Sequence, residues 1–209
     1  MKKNILILGS SSALGKAVLD QLCLLPNIEI TAFDRGNKDV IYPNFVKHII
    51  GDATDYNDLK EALVRIDIVF PTLGPFEMEK FSTPLVKAMT ELNIQRLFWT
   101  TQYQILDSEV SKENLDLALD FGFSEEVELT YVETQKAGAE IIRNSSLNYT
   151  LLMLHFFYYD NRLQQTVLNF QQEPIEGGPI SVGTLAKMIS EMIYHEELYE
   201  QRFIKISAK

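Results

Sequence analysis

Two rhythms of apolar residues run along this chain. Ile5 to Leu8 is a continuous apolar run between a polar start and Gly9. Such a run suits a strand buried on both faces. From Leu14 the period lengthens, and Leu14, Ala17, Val18, Leu22 and Leu25 share one helical face. Pro26-Asn27 ends that pattern, and Ile28 to Phe33 resumes the strand rhythm. Phe45 to Ile50 predicts a third strand, and Asp55 an N-cap for a helix bearing Leu59, Ala62, Leu63 and Ile66. Ile66 to Phe70 predicts a fourth strand. Thr83 with Pro84 predicts the start of a helix that buries Leu85, Ala88, Met89 and Leu92. Arg96 to Thr100 and Asn148 to Leu154 predict two more strands. Ser181 predicts a cap for a last helix with Val182, Leu185, Ala186, Ile189 and Ile193 inward, and Phe203 to Ile206 a closing strand. Strands alternating with helices predict an α/β domain with a doubly wound parallel sheet, spanning residues 1–209.

The first strand-to-helix turn carries candidate chemistry. A helix N-terminus exposes unpaired N–H groups and the positive end of the helix dipole, and so attracts anions. Gly9 permits a tight turn, Ser11 and Ser12 offer hydroxyls and close backbone, Ala13 and Leu14 open the helix, and Gly15 allows close packing. Dinucleotide-binding folds hold a diphosphate with this order of parts. Ser12 stands where a middle glycine is usual; a bare βα turn is the alternative. The second strand ends at Asp34-Arg35. An acid there commonly accepts from the adenosine ribose, whereas an arginine accommodates a 2′-phosphate. Asp34 would repel that phosphate unless turned away, and Arg35, assisted by Lys38, would attract it. The charge argument favours NADP over NAD; a solvated strand end with a surface ion pair is the alternative. Asp52 and Ala53 end the third strand, where Asp52 is placed to accept from the adenine amino group. Leu73 and Gly74 follow the fourth, and Gly74 allows a backbone to pass close to the cofactor.

Charge and cysteine usage narrow the partners. The net charge of -10 argues against a broad nucleic-acid or anionic-membrane surface. One cysteine, Cys23, allows no internal disulfide and suits a reducing cytoplasm. Three scattered histidines give no metal pattern. The four-residue apolar run near the N-terminus is too short for a signal peptide or membrane span. The expected partners are a dinucleotide and a small molecule.

The segments Asn4 to Gly15, Asp34-Arg35, Gly51 to Asp55 and Leu73-Gly74, in that order, resemble the atypical short-chain dehydrogenase/reductases of the NmrA-like branch. Lys136 to Thr150 resembles that branch's helix and following strand, and Ile180-Ser181-Val182 followed by Leu185-Ala186 resembles its late helix start. The resemblance implies a three-layer, Rossmann-type NAD(P) site and, in many relatives, reductase activity. It also implies that Lys136 holds the nicotinamide ribose and that Thr100 or Thr101 supplies the family's hydroxyl near the reacting group. Relatives with full catalytic machinery carry a tyrosine four residues before the lysine. That position is Val132, and Tyr131 lies five residues back, roughly 140° around a helix from Lys136. The family's Arg-Pro is Met153-Leu154.

Two further expectations concern the reaction. His155 follows the sixth strand, where a proton donor near neutrality would be useful, and Tyr103 is a second candidate. Either is equally at home in packing, and Phe156 to Tyr159 would wall a flat apolar pocket or fill core. The acidic stretch between Thr101 and Tyr131, with Phe121-Gly122-Phe123, is a lid over the strand ends or a solvated helix and loop. Together these features predict an NAD(P)H-dependent oxidoreductase acting on a small carbonyl or quinone-like acceptor. The alternative is a non-catalytic dinucleotide sensor.

Overall fold

A computed structural model describes residues 2–37, 39–171 and 173–209. The apolar run near the N-terminus forms β1 (Lys3–Leu8), and the first helical face forms α1 (Ala13–Leu22). There follow β2 (Ile28–Asp34), β3 (Lys47–Ile50), α2 (Tyr56–Ala62), β4 (Ile68–Pro71), α3 (Met78–Glu91) and β5 (Arg96–Gln102). Next come α4 (Lys112–Asp120), α5 (Glu125–Arg143), β6 (Asn148–Leu154), β7 (Phe157–Tyr158) and β8 (Thr166–Phe170). The chain closes with β9 (Ile180–Ser181), α6 (Val182–Tyr194) and β10 (Arg202–Ala208). Asp55 and Ser181 cap α2 and α6 as the sequence predicts.

The main sheet runs β3-β2-β1-β4-β5-β6-β10-β8, with all pairs parallel except β10–β8. Alternate residues of each strand feed opposite faces. Ile5, Ile7 and Phe98 pack with Leu14, Val18 and Leu22 of α1 and Leu185 and Ile189 of α6. Leu6, Leu8 and Trp99 pack with Leu59 of α2, Leu85 and Met89 of α3, and Ala139 and Ile142 of α5. The result is a three-layer α/β/α, Rossmann-type fold. Its strand order reverses between β1 and β4, which opens a crevice at their carboxyl ends, where α/β sheets bind ligands. No helix among the described residues is long and apolar enough to cross a membrane.

Several elements differ from the sequence expectation. Phe45 is exposed and β3 begins only at Lys47. The β8 edge strand was not foreseen; its short, half-buried segment has a weak apolar pattern. Most plainly, α3 does not start at Thr83: it starts at Met78, and Pro84 lies inside it. Proline within a helix removes one backbone bond and costs about 3 kcal/mol. Tertiary contact offsets that cost. The Met78 amide donates to Thr134 Oγ1 of α5 at 2.9 Å. Met78 is buried so tightly against Gly138 that a Cβ there would come within 2.5 Å of it.

Candidate functional site

The crevice is framed by the loops after β1, β2, β3 and β4. Gly9 takes φ +76°, a conformation that glycine adopts without strain, and its amide donates to the Phe33 carbonyl at 2.8 Å. A Cβ on Gly9 would lie 2.6 Å from the Thr72 carbonyl oxygen. Gly15 is equally confined: a Cβ would lie 2.5 Å from the Gly9 carbonyl oxygen and 2.7 Å from Thr72 Oγ1. Ser12 is the N-cap of α1, and its Oγ accepts from the Gly15 amide at 3.0 Å. So the residue in the middle-glycine position closes the turn rather than leaving it bare. Thr72, which sequence reasoning passed over, ties β4 to this turn. Its hydroxyl donates to the Leu8 and Gly9 carbonyls and lies 2.9 Å from Ser12 Oγ.

Among the described residues, the Ser11, Ala13 and Leu14 amides donate to no protein acceptor. The first turn of α1 holds no acidic side chain, and Ala13 is exposed at its mouth. Three free amides at the positive end of a ten-residue helix form a cradle suited to a diphosphate.

At the end of β2, Asp34 and Arg35 diverge. Arg35 is exposed, while Asp34 is only 4% exposed. Its Oδ1 accepts from the Gly36 and Asn37 amides at 2.6 and 3.2 Å. Its Oδ2 accepts from Tyr42 at 2.5 Å, Ser10 at 3.1 Å and His48 Nε2 at 3.2 Å. An ionised carboxylate only accepts, so His48 carries its proton on Nε2. Burial alone would raise the Asp34 carboxyl, but the bonds from Tyr42, Gly36, Asn37 and Ser10 outweigh it and hold the group below the usual range. Burial and the Asp34 bond push the Tyr42 phenol up to about 12. Lys38, the suggested helper of Arg35, lies outside the described residues.

At the end of β3, Asp52 is exposed and Ala53 buried. Asp52 Oδ1 accepts from the Thr54 amide and hydroxyl, both at 2.8 Å. These bonds, with the Arg35 charge adding to them, hold its carboxyl below the usual range. After β4, Leu73 is half-buried, and exposed Gly74 takes φ +117° before a cis bond to Pro75.

The residues expected to act on the substrate lie on α5 and at the ends of β5 and β6. Lys136 is exposed on α5, whereas its neighbour Gln135 is 3% exposed and donates from Nε2 to the Pro75 carbonyl at 2.9 Å. The helix therefore turns Gln135, not Lys136, towards the loop after β4. Counting forward from Tyr131, Gln135 is the four-residue partner, roughly 40° away around the helix. The spacing was available in the sequence, but counting back from the lysine concealed it. Tyr131 is half-buried and meets Phe76 edge-on at 6.2 Å. Burial, with Glu128 and Tyr159 adding to it, pushes its phenol up.

Thr100 donates to the Pro71 carbonyl at 3.2 Å, so its hydroxyl is engaged within the sheet. The Thr101 hydroxyl is buried and has no protein partner among the described residues. His155 is buried, stacked on Tyr103 at 4.6 Å and 8°, and its Nδ1 has no partner either. Burial pushes its pKa down to about 4, against a weaker opposing bond from Phe156, so the ring is neutral at pH 7. Tyr103 donates to Asn114 Oδ1 at 2.5 Å, which commits its hydroxyl to packing α4. Phe121 lies 5.1 Å from both Phe156 and Tyr158, so the end of α4 covers the aromatic run after β6.

Solved structures share this fold. A Rossmann-fold NAD(P)-binding family protein from Shigella flexneri is 22% identical, with a TM-score of 0.81, covering 100% of this chain and 94% of its own. A wide-type short-chain dehydrogenase/reductase from Veillonella parvula, solved with NADP, is 20% identical, with a TM-score of 0.83 and coverage of 99% and 95%. ChuY, an anaerobilin reductase from Escherichia coli O157:H7, is 16% identical, with a TM-score of 0.77 and coverage of 99% and 97%. No curated protein matches the sequence. A family model described as NAD(P)H-binding matches residues 9–196, and the chain belongs to that NAD(P)H-binding family.

Proposed function

We propose that this chain binds NADPH in preference to NADH and reduces a small, flat, conjugated carbonyl or quinone-like acceptor over the carboxyl ends of β4, β5 and β6. The observation that carries the proposal is the cradle at α1: three free amides and no nearby acid in the first turn. Arg35, exposed beside an acid that is turned inward, supports the 2′-phosphate preference.

The nicotinamide supplies the hydride. The protein's part is to bind, orient and keep the pocket apolar. The amides of Ser11, Ala13 and Leu14 hold the diphosphate, and Arg35 the 2′-phosphate. Gln135 fixes the Gly74-Pro75 loop through its bond to Pro75. Thr101 offers a buried hydroxyl that no protein group claims among the described residues. Tyr131 stays protonated, because nothing cationic faces it from the Gln135 position. A weak acid of this kind favours an acceptor whose reduced form spreads its charge through conjugation, over a simple ketone that needs a strong donor. Phe121, packed on Phe156 and Tyr158, gives an aromatic surface after β6 that suits such a molecule.

A second reading is a dinucleotide sensor without turnover. Gln135 in the four-residue partner position and the neutral His155 favour it. The two separate when purified protein is mixed with NADPH and a panel of quinones, flavins and aldehydes. Oxidation of NADPH above the protein-free rate supports the reductase. Tight NADPH binding with no oxidation across the panel supports the sensor.

A further inference from the structure

We infer that Ser10, Tyr42 and His48 are specificity-determining positioning residues, which hold Asp34 away from bound adenosine and so create the preference for a 2′-phosphorylated dinucleotide. This inference rests on the NADPH reading above and explains how an acid at the end of β2 is compatible with it.

The Asp34 carboxylate receives five donors from the protein: the Gly36 and Asn37 amides, and the Ser10, Tyr42 and His48 side chains. A carboxylate has roughly four lone-pair directions, so none is left for ribose hydroxyls. The three side chains come from separate places. Ser10 belongs to the turn after β1 and is fully buried. Tyr42 lies in the connection from β2 to β3, and His48 on β3 itself. Ser10 Oγ and the Tyr42 hydroxyl are also 2.8 Å apart, and the Tyr42 ring packs on His48 at 4.7 Å. Oδ2 thus sits in a closed ring of donors, while Arg35, the next residue, is exposed to solvent. Backbone bonds alone would hold Oδ1 and leave Oδ2 free to swing. The side-chain ring is what commits the second oxygen.

The test measures dissociation constants for NADPH and NADH by calorimetry, on wild type and on the double variant Tyr42→Phe/His48→Leu. The double variant deletes two of the three donors to Oδ2, which frees a lone-pair direction there, and keeps the bulk of both side chains. The ratio of the NADH constant to the NADPH constant should fall about tenfold in the double variant, equivalent to about 1.4 kcal/mol. Adding Asp34→Asn to the double variant should restore the wild-type ratio, since the released charge is then gone. A merely structural role would weaken both dinucleotides together and leave the ratio unchanged, which overturns the inference. A ratio that falls but is not restored by Asp34→Asn overturns it as well. If wild type itself shows no preference for NADPH, the cofactor reading fails first, and that outcome is visible without any variant.

Discussion

Arg35 and Asp34 are neighbours with opposite surroundings, and this contrast defines the predictions at the residue scale. Arg35→Ala should raise the NADPH dissociation constant about tenfold or more, since charge-assisted bonds contribute about 1.5–3 kcal/mol. The NADH constant should stay within about twofold, and calorimetry with both dinucleotides checks it. Equal losses would refute the 2′-phosphate role. His155 gives a prediction about pH. Its folded pKa of about 4 lies below its ordinary value of 6.5, so between those limits the unfolded chain binds the extra proton. This contribution is complete above pH 6.5 and is lost as pH falls towards 4. The loss is on the order of 3 kcal/mol at its fullest. His155→Phe, which keeps a ring against Tyr103, should flatten the decline in urea stability between pH 7 and pH 5; an unchanged slope would contradict the assignment. Single residues were the least legible part of the site. The sequence placed an acid and an arginine at the strand end, but no local pattern revealed that Tyr42 and His48, 8 and 14 residues further on, would fold back to engage the acid.

At the scale of elements, the turn from β1 into α1 was legible because its demands are local. Glycine at φ +76° and a small residue facing the Gly9 carbonyl are constraints that the chain satisfies within a few residues. Gly9→Val should abolish dinucleotide binding, because its Cβ meets the Thr72 carbonyl at 2.6 Å. Gly15→Ala should lower stability by about 1–3 kcal/mol through overpacking. Circular dichroism melts and dinucleotide titrations read both. The start of α3 was misjudged for the converse reason. Pro84 is a strong local signal, and only the contact of Met78 with Thr134 and Gly138 overrides it. In α5 the periodicity was clear, but the facing residue was not, since burial selects Gln135 over Lys136. Gln135→Lys places a cation one helical turn from Tyr131 and should lower its phenol pKa. If the protein is a reductase, kcat for simple aldehydes should rise several-fold while the NADPH dissociation constant changes little. No change in kcat with the tyrosine titration also unmoved would show that Tyr131 and Gln135 do not act together.

For the whole molecule, the alternation of strands and helices foretold the layers, and the reversal between β1 and β4 places four loops around one crevice. The sheet's far edge was harder to see. β10 enters between β6 and β8, a pairing set by distant contacts rather than by any pattern within residues 166–170. The account's central claim is that the amino end of α1 receives the diphosphate of NADPH. A crystal structure of the protein with NADPH tests it most directly. The diphosphate should accept from the Ser11, Ala13 and Leu14 amides, with the 2′-phosphate on Arg35 and Asp34 still bound by Tyr42 and His48. A nucleotide seated elsewhere, with those three amides untouched, would contradict it.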